Sequence, residues 1–207
     1  MSRDSATARR VQRRAQILAE ARALVVSEGL ASLTFGRLEA RLAFTRGVIT
    51  YHFRNKDDLV HALLDEAIRE IDAAAEAHWV QVDRLEDRVQ AVVRSMVSGF
   101  WSHPDAMVVL VNFWSRVGTD PRAAAANAEL YRRYRRGSAA LVARGQRDGV
   151  FDPAWVPESV AVTIVGLVIG ICTQAWFDPE AVDVDQAVDV AAAAVRALLT
   201  QPQVVAS

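Results

Sequence analysis

Residues 34–59 read TFGRLEARLAFTRGVITYHFRNKDDL, and here residue type and spacing offer the clearest chemistry in the chain. Two short helices with a tight turn around Ala43-Phe44 make a helix-turn-helix pattern. Leu38, Leu42, Phe44 and Ile49 are placed to pack the pair against a preceding helix. Arg46, Gly47, Val48, Thr50 and Tyr51 are then left near the exposed surface of the second helix. A helix fits the major groove of DNA, and its N-terminal side chains reach base edges. Arg46 can donate two hydrogen bonds to a guanine, and Val48 can touch a thymine methyl. Thr45, Tyr51, His52 and Lys56 carry groups suited to phosphate, and a following helix start adds backbone N–H donors.

Rival chemistries find no such spacing. Neither a Gly-rich phosphate loop nor a nucleophile–base motif is present, so no enzyme and no cofactor are expected. His78 and His103 have no acidic or histidine neighbours at ligand spacing, which argues against a metal site. Cys172 is the only cysteine and reads as a small buried apolar residue. The run YRRYRRG (131–137) spreads its arginines around a helix and reads as a solvated face. Met96, Phe100, Trp101, Asn112, Trp114 and Tyr131 offer apolar and aromatic surface with few polar handles. That lining suits an apolar or aromatic small molecule held by one or two hydrogen bonds.

These residues must be positioned by helices, because no alternating strand pattern occurs and about nine helices do. The first covers 8–28, burying Ile17, Leu18, Ala21, Leu24 and Val25, with Gly29 as a left-handed cap. The second starts at Thr34 with a Leu33–Leu38 staple, and the third runs from Thr45 to His52 with a Phe44–Ile49 staple. A fourth runs from Asn55 to about Val80, with Asp57 and Asp58 in its first turn. Then come 83–102, opened by Asp83-x-x-Glu86, and 104–117. Asp120-Pro121 opens the longest helix, which Gly149 ends; Pro157 opens one to Phe177, and Asp183 with Gln186 caps a last one to Thr200.

The chain of 207 residues is 52% hydrophobic and 24% charged, a balance that excludes a disordered chain. Its net charge is −1, but residues 1–60 carry +5 and the remainder −6. A basic head on an acidic body points to a polyanionic partner for the head. The basic N-terminus (Arg3, Arg9, Arg10, Arg13, Arg14) is followed by an apolar run broken by Glu20 and Arg22, so no signal-peptide core forms. Residues 160–177 are long enough to span a membrane, yet two glycines, polar residues and the lack of basic anchors favour a helix buried by other helices. No membrane partner and a cytoplasmic location are expected.

The first half resembles the TetR family of one-component transcriptional regulators over about residues 10–62. The stretch TRGVITYHFRNKDDL matches that family's Ser/Thr-x-Gly-x-hydrophobic-Tyr-Tyr-His-Phe-x-x-Lys-x-x-Leu pattern. The resemblance implies that Arg46, Gly47, Val48 and Thr50 face bases or line the groove. It implies backbone contacts for Thr34, Arg37, Thr45, Tyr51, His52 and Lys56. Ala43 stands where the family's turn usually has Gly, Glu39 where it has Ala, and Thr50 where a Tyr is common. FWSRVGTDP, ELYRRYRRGSAALVARGQRDGVF and the apolar 160–177 stretch resemble the C-terminal domain of the betaine-biosynthesis repressor. That implies a DNA-binding domain over 1–54, a ligand-binding and dimerisation domain over 55–207, and a repressor released by a small molecule. A quaternary ammonium ligand over tryptophan ranks behind an apolar one. The alternatives are a regulator without a small-molecule inducer, or a helical interaction protein that does not bind DNA. A homodimer on a palindromic double-stranded operator is expected, its interface formed by Gly166, Gly170, Val184, Val188, Ala191, Val195 and Leu198.

Overall fold

The computed structural model describes residues 3–79 and 84–200. Among them are nine α-helices and no strand: α1 (Arg3–Glu28), α2 (Phe35–Leu42), α3 (Arg46–His52), α4 (Lys56–Trp79), α5 (Leu85–Trp101), α6 (Pro104–Trp114), α7 (Pro121–Arg147), α8 (Pro157–Phe177) and α9 (Val184–Thr200). They form two compact units, Met1–Arg69 with Pro104–Ala126, and Glu70–His103 with Asn127–Ser207. Both α4 and α7 contribute to each unit.

Local signals set most helix starts. Thr34 Oγ1 accepts from the Arg37 N–H, Asn55 Oδ1 from Asp58 and Asp183 Oδ1 from Gln186, each satisfying a first-turn amide. The box opened by Asp83 lies outside the described residues; α5 starts at Leu85, and its N-cap Arg84 makes no side-chain bond. Gly29 has φ 79° and ψ 166°, so it is not the expected left-handed helical cap but an extended corner open essentially to glycine alone.

In the first unit, α1 buries Ile17, Leu18, Ala21, Leu24 and Val25 as expected, packing on α2 and α6. Leu33, Leu38, Ile49 and Phe53 are buried with them, while Leu42 and Phe44 stay half-buried. Each fully buried aliphatic side chain contributes about 1.5–3 kcal/mol. The turn between α2 and α3 passes through Ala43 at φ 50°, ψ 27°, a left-handed conformation that costs a residue with a Cβ roughly 1–2 kcal/mol. Ala43→Gly should therefore stabilise the chain by about 1 kcal/mol after glycine's greater unfolded entropy is subtracted. A denaturant melt whose midpoint stays fixed or falls would refute the strain.

In the second unit, α5 packs on α8 and α9, and α8 packs on α9. Arg94 bridges to Asp185 and Asp189, and Gln90 Nε2 donates to Asp189 Oδ1 at 3.0 Å, pinning α5 along α9. This corrects the expected dimer seam. Val188, Ala191 and Val195 are buried within the chain, and Val184 and Leu198 are half-buried. Their four-three spacing marks a covered face, but the apolar side of α5 does the covering. What α8 and α9 leave exposed is different: Val162, Gly166 and Phe177 on α8, and Val190, Ala193, Ala194 and Ala197 on α9.

Helix α8 is long and apolar enough to cross a membrane. Eight of its side chains are buried against its own unit, the pattern of a core helix with one outward face. Cys172 lies on the buried side, where desolvation pushes its thiol up to about 12. That thiol is inert at neutral pH.

Candidate nucleic-acid interface

Helix α3 is held by one deeply buried residue, Ile49, and by Phe53 just past its end, so the rest of its surface is free to face a partner. Arg46, Gly47, Thr50 and Tyr51 are exposed, and Tyr51 is 71% exposed, unusual for so large a ring. Val48, His52 and Lys56 are half-buried. Arg46 has no ion-pair partner among the described residues, whereas nearby Arg54 is tied to Asp58 at 2.8 Å. A Cβ on Gly47 would meet only Thr45 Oγ1 at 3.8 Å, so the fold itself does not demand glycine there. The Thr50 hydroxyl donates back to the Arg46 carbonyl at 3.0 Å, and Thr45 makes no capping bond with its side chain.

Thr34 and Arg37 stand apart from this surface in their bonding. Thr34 caps α2, and the Arg37 guanidinium forms an ion pair with Glu28 at 2.6 Å, with Arg41 also on Glu28 and on Glu20. The pairing with Arg37 holds the Glu28 carboxyl below its ordinary range. In the free protein, then, Arg37 fastens α2 to the end of α1.

Sequence reasoning missed one wall of the site. A hollow of about 800 Å³ is lined by Thr45, Gly47, Val48, Tyr51 and His52 on one side and by Thr7, Arg9, Arg10 and Arg13 of α1 on the other. The signal was the N-terminal arginine run, which the sequence shows but does not place. Arg13 also lies over the Phe44 ring at 5.9 Å and Arg14 over Phe53 at 5.2 Å, cation–π contacts that orient α1 on the motif. Burial first, then the charges of Arg10, Arg14 and Arg13, lower the His52 pKa below its ordinary 6.5.

That field sets a pH dependence. His52 is neutral in the free protein at neutral pH, and neighbouring phosphates would offset the arginine charges and raise its pKa. Binding DNA then takes up a proton, so affinity should increase as pH falls from about 8 towards 6. His52→Gln should flatten that slope in a fluorescence-anisotropy titration. An identical slope in the variant would assign the effect to another group.

The expected ligand residues divide between the units. Asn112 and Trp114 belong to the first, where Asn112 Nδ2 donates to the Val108 carbonyl at 2.9 Å and the Trp114 indole nitrogen is buried without a partner among the described residues. Met96, Phe100, Trp101 and Tyr131 belong to the second; Met96 and Phe100 are buried, and Trp101 and Tyr131 are half-buried. Trp101 borders a small hollow of about 230 Å³ with Arg94, Val97, Val184 and Val188. On α7 the Ser138 hydroxyl is buried without a hydrogen-bond partner among the described residues, and the buried Tyr134 hydroxyl feels the charge of Asp72. Burial, then the Asp72 charge, push the Tyr134 phenol up, so it stays a neutral donor.

Comparison with known proteins accounts for both parts of this arrangement. The family model described as bacterial regulatory proteins, tetR family, matches residues 17–63, and that of the BetI-type transcriptional repressor, C-terminal, matches residues 85–200, more than half of the chain. No curated protein matches. A TetR transcriptional regulator from Chloroflexus aurantiacus superposes with a TM-score of 0.80 at 19% identity, covering 92% of this chain and 98% of its own. A TetR transcription regulator from Haloarcula marismortui gives 0.79 at 19%, covering 92% and 100%. A protein from Saccharomonospora viridis, assigned as a transcriptional regulator and solved in complex with choline, gives 0.79 at 18%, covering 92% and 99%. At these identities the superpositions show a shared fold, while the family models carry the assignment. The chain thus belongs to the TetR family of bacterial regulatory proteins, a transcriptional regulator rather than an enzyme, with a C-terminal domain of the BetI type.

Proposed function

We propose that the protein is a dimeric repressor that reads a palindromic operator through α3 and leaves it when a small molecule occupies the second half of the chain. The observation that carries the reading is the exposed Arg46, with no ion-pair partner among the described residues, beside Gly47 and Val48 on the first turn of α3. Thr45, Thr50, Tyr51, His52 and Lys56 support it as groove and phosphate contacts, with Thr34 as a further backbone contact in this reading. Residues 1–54 would serve DNA and residues 55–207 the ligand and the second protomer, acting in the cytoplasm where the operator lies. An electrophoretic shift with the duplex upstream of its own gene tests this. A retarded band that resists random competitor DNA is expected; no sequence preference on any duplex overturns the reading.

The dimer forms, in this reading, through the outward stripe of α8 and α9 rather than the inward seam. Val162, Gly166, Gly170 and Phe177 follow one face of α8, and Val190, Ala193, Ala194 and Ala197 lie on α9. Small residues there let helices approach closely, and Val162, Phe177 and Val190 are large apolar side chains left exposed. Light scattering at micromolar concentration should give twice the chain mass.

An apolar or aromatic ligand fits Met96, Phe100, Trp101 and Tyr131, with Tyr134 and Ser138 as the few orienting groups. Asn112 and Trp114 of α6, expected with them, belong to the other unit and are left out of this set. A quaternary ammonium compound is the second reading, favoured by the choline held in the Saccharomonospora viridis structure. Tryptophan fluorescence during choline titration separates the two: saturable quenching supports the ammonium reading, and a flat trace removes it.

A further inference from the structure

The arginines of α7 border a groove that the described part of the chain leaves open. Arg132 and Arg136 both turn to Glu129, while Arg135 makes no ion pair among the described residues. With Ala139 and Ala143 one and two turns further along, this side of α7 faces Glu158 and Val162 at the start of α8. The space between them is about 440 Å³, with a floor of alanine methyls and Val162 and a rim of three guanidinium groups. Val162 is 58% exposed in it. Set against Glu129 and Glu158, the three arginines leave the rim positive, and the excess is the charge of Arg135.

The other end of α8 has the complementary chemistry. Phe177, its last residue, is 75% exposed, and Asp178 and Glu180 follow it, exposed and without an ion pair among the described residues. A large ring left in water beside two carboxylates matches an apolar floor rimmed by arginine. The two ends do not meet within one chain, because the 21 residues of α8 hold them about 30 Å apart. Midway along the same face stand Gly166 and Gly170, where two copies of α8 can approach most closely. Antiparallel pairing about a two-fold axis at residue 168 sets Phe177 of one copy level with Ser159 of the other, each nine positions from the axis. Ser159 lies between Glu158 and Val162, at the groove.

We propose that the groove between α7 and α8 receives the end of α8 from a second copy of the chain, with Phe177 on the alanine floor and Asp178 and Glu180 against Arg135 and Arg136. The proposal rests on the reading of the protein as a dimer through the outward stripe of α8 and α9, and adds a lock at each end of it. Because the pairing is two-fold, each copy gives one end and receives the other. The charged rim sets register and partner choice, and the buried ring supplies affinity. The arginine run of 131–137 then serves a protein partner rather than a nucleic acid.

The test uses the full-length protein, with dissociation followed on dilution by sedimentation velocity. Arg135→Glu/Arg136→Glu and Asp178→Lys/Glu180→Lys each place like charges in both locks, and each should raise the dimer dissociation constant about tenfold or more. Phe177→Ser should weaken the dimer as well, by leaving the floor uncovered. The two charge variants are then mixed in equal amounts and counted by native mass spectrometry. Their heterodimer should exceed its statistical share, because one of its locks is wild type and the other has its charges exchanged. That recovery also shows that both variants fold. A wild-type chain that is monomeric at micromolar concentration overturns the dimer reading and the lock with it. A wild-type dimer whose charge variants dissociate as it does overturns the lock alone. A statistical mixture of weakened variants also overturns it, since the charges would then act within their own protomer.

Discussion

Arg46→Ala should weaken operator binding by about 1–3 kcal/mol, roughly 5- to 150-fold, while leaving non-specific DNA binding much less affected. The side chain sits at the first residue of α3, is exposed, and has no carboxylate holding it among the described residues. Its donors are thus available to a guanine edge without first breaking a protein contact. Arg54 provides the contrast: it too is exposed, but it is tied to Asp58, and its loss should matter less. Lys56→Ala should lower affinity for all sequences alike, since it stands beside the motif at the first turn of α4. Competition of operator against random duplex in an anisotropy titration checks both. Equal losses on the two duplexes for Arg46→Ala would move Arg46 from base reading to backbone contact.

Much of this arrangement was legible in the sequence because its signals are local. Thr34, Asn55 and Asp183 cap helices whose first amides lie within three residues, and the motif 45–59 concentrates its chemistry in α3 and the first turn of α4. The core face of α1 followed from apolar spacing alone. What failed was everything that depends on which distant surface does the covering. Val188, Ala191 and Val195 have the spacing of a packed seam whether α5 or a second protomer lies over them. Arg37 suited phosphate until α1 brought Glu28 to it. The arginines of α1 looked like a property of the terminus, and only the fold sets them across a trough from α3. Ala43 lay between these cases: the family's usual glycine hinted at a special backbone there, and the structure gives its φ as 50°.

The largest stability effect is expected at a residue whose local pattern reveals the helix it opens but not its distant partners. Asp120 Oδ1 accepts from the N–H groups of Arg122 and Ala123 at 3.0 and 3.2 Å, capping α7. Its Oδ2 lies 3.3 Å from His61 Nε2 and 3.0 Å from Arg116 Nη2, and His61 is only 5% exposed. Arg116 also reaches Asp57 in the first turn of α4, and Arg122 reaches Asp58, so three carboxylates with Asp120 at their centre tie the turn before α7 to the helix that follows α3. Asp120→Ala removes the cap and strands the buried imidazole. A loss of about 2–4 kcal/mol follows, lowering Tm by roughly 5–15 °C. Asp120→Asn keeps a capping oxygen and should lose about half as much. Burial favours the neutral acid, but the Ala123 N–H, His61, the Arg122 N–H and Arg116 outweigh it and hold the Asp120 pKa below 3.8. Because the folded value is depressed, the charge stabilises in full above the ordinary carboxylate value, and that share is lost as pH falls through the folded one. The gap in stability between wild type and Asp120→Asn should therefore be widest at neutral pH and close in acid. A gap that stays constant from pH 7 downward would mean that the cap alone, and not the charge, holds this corner together.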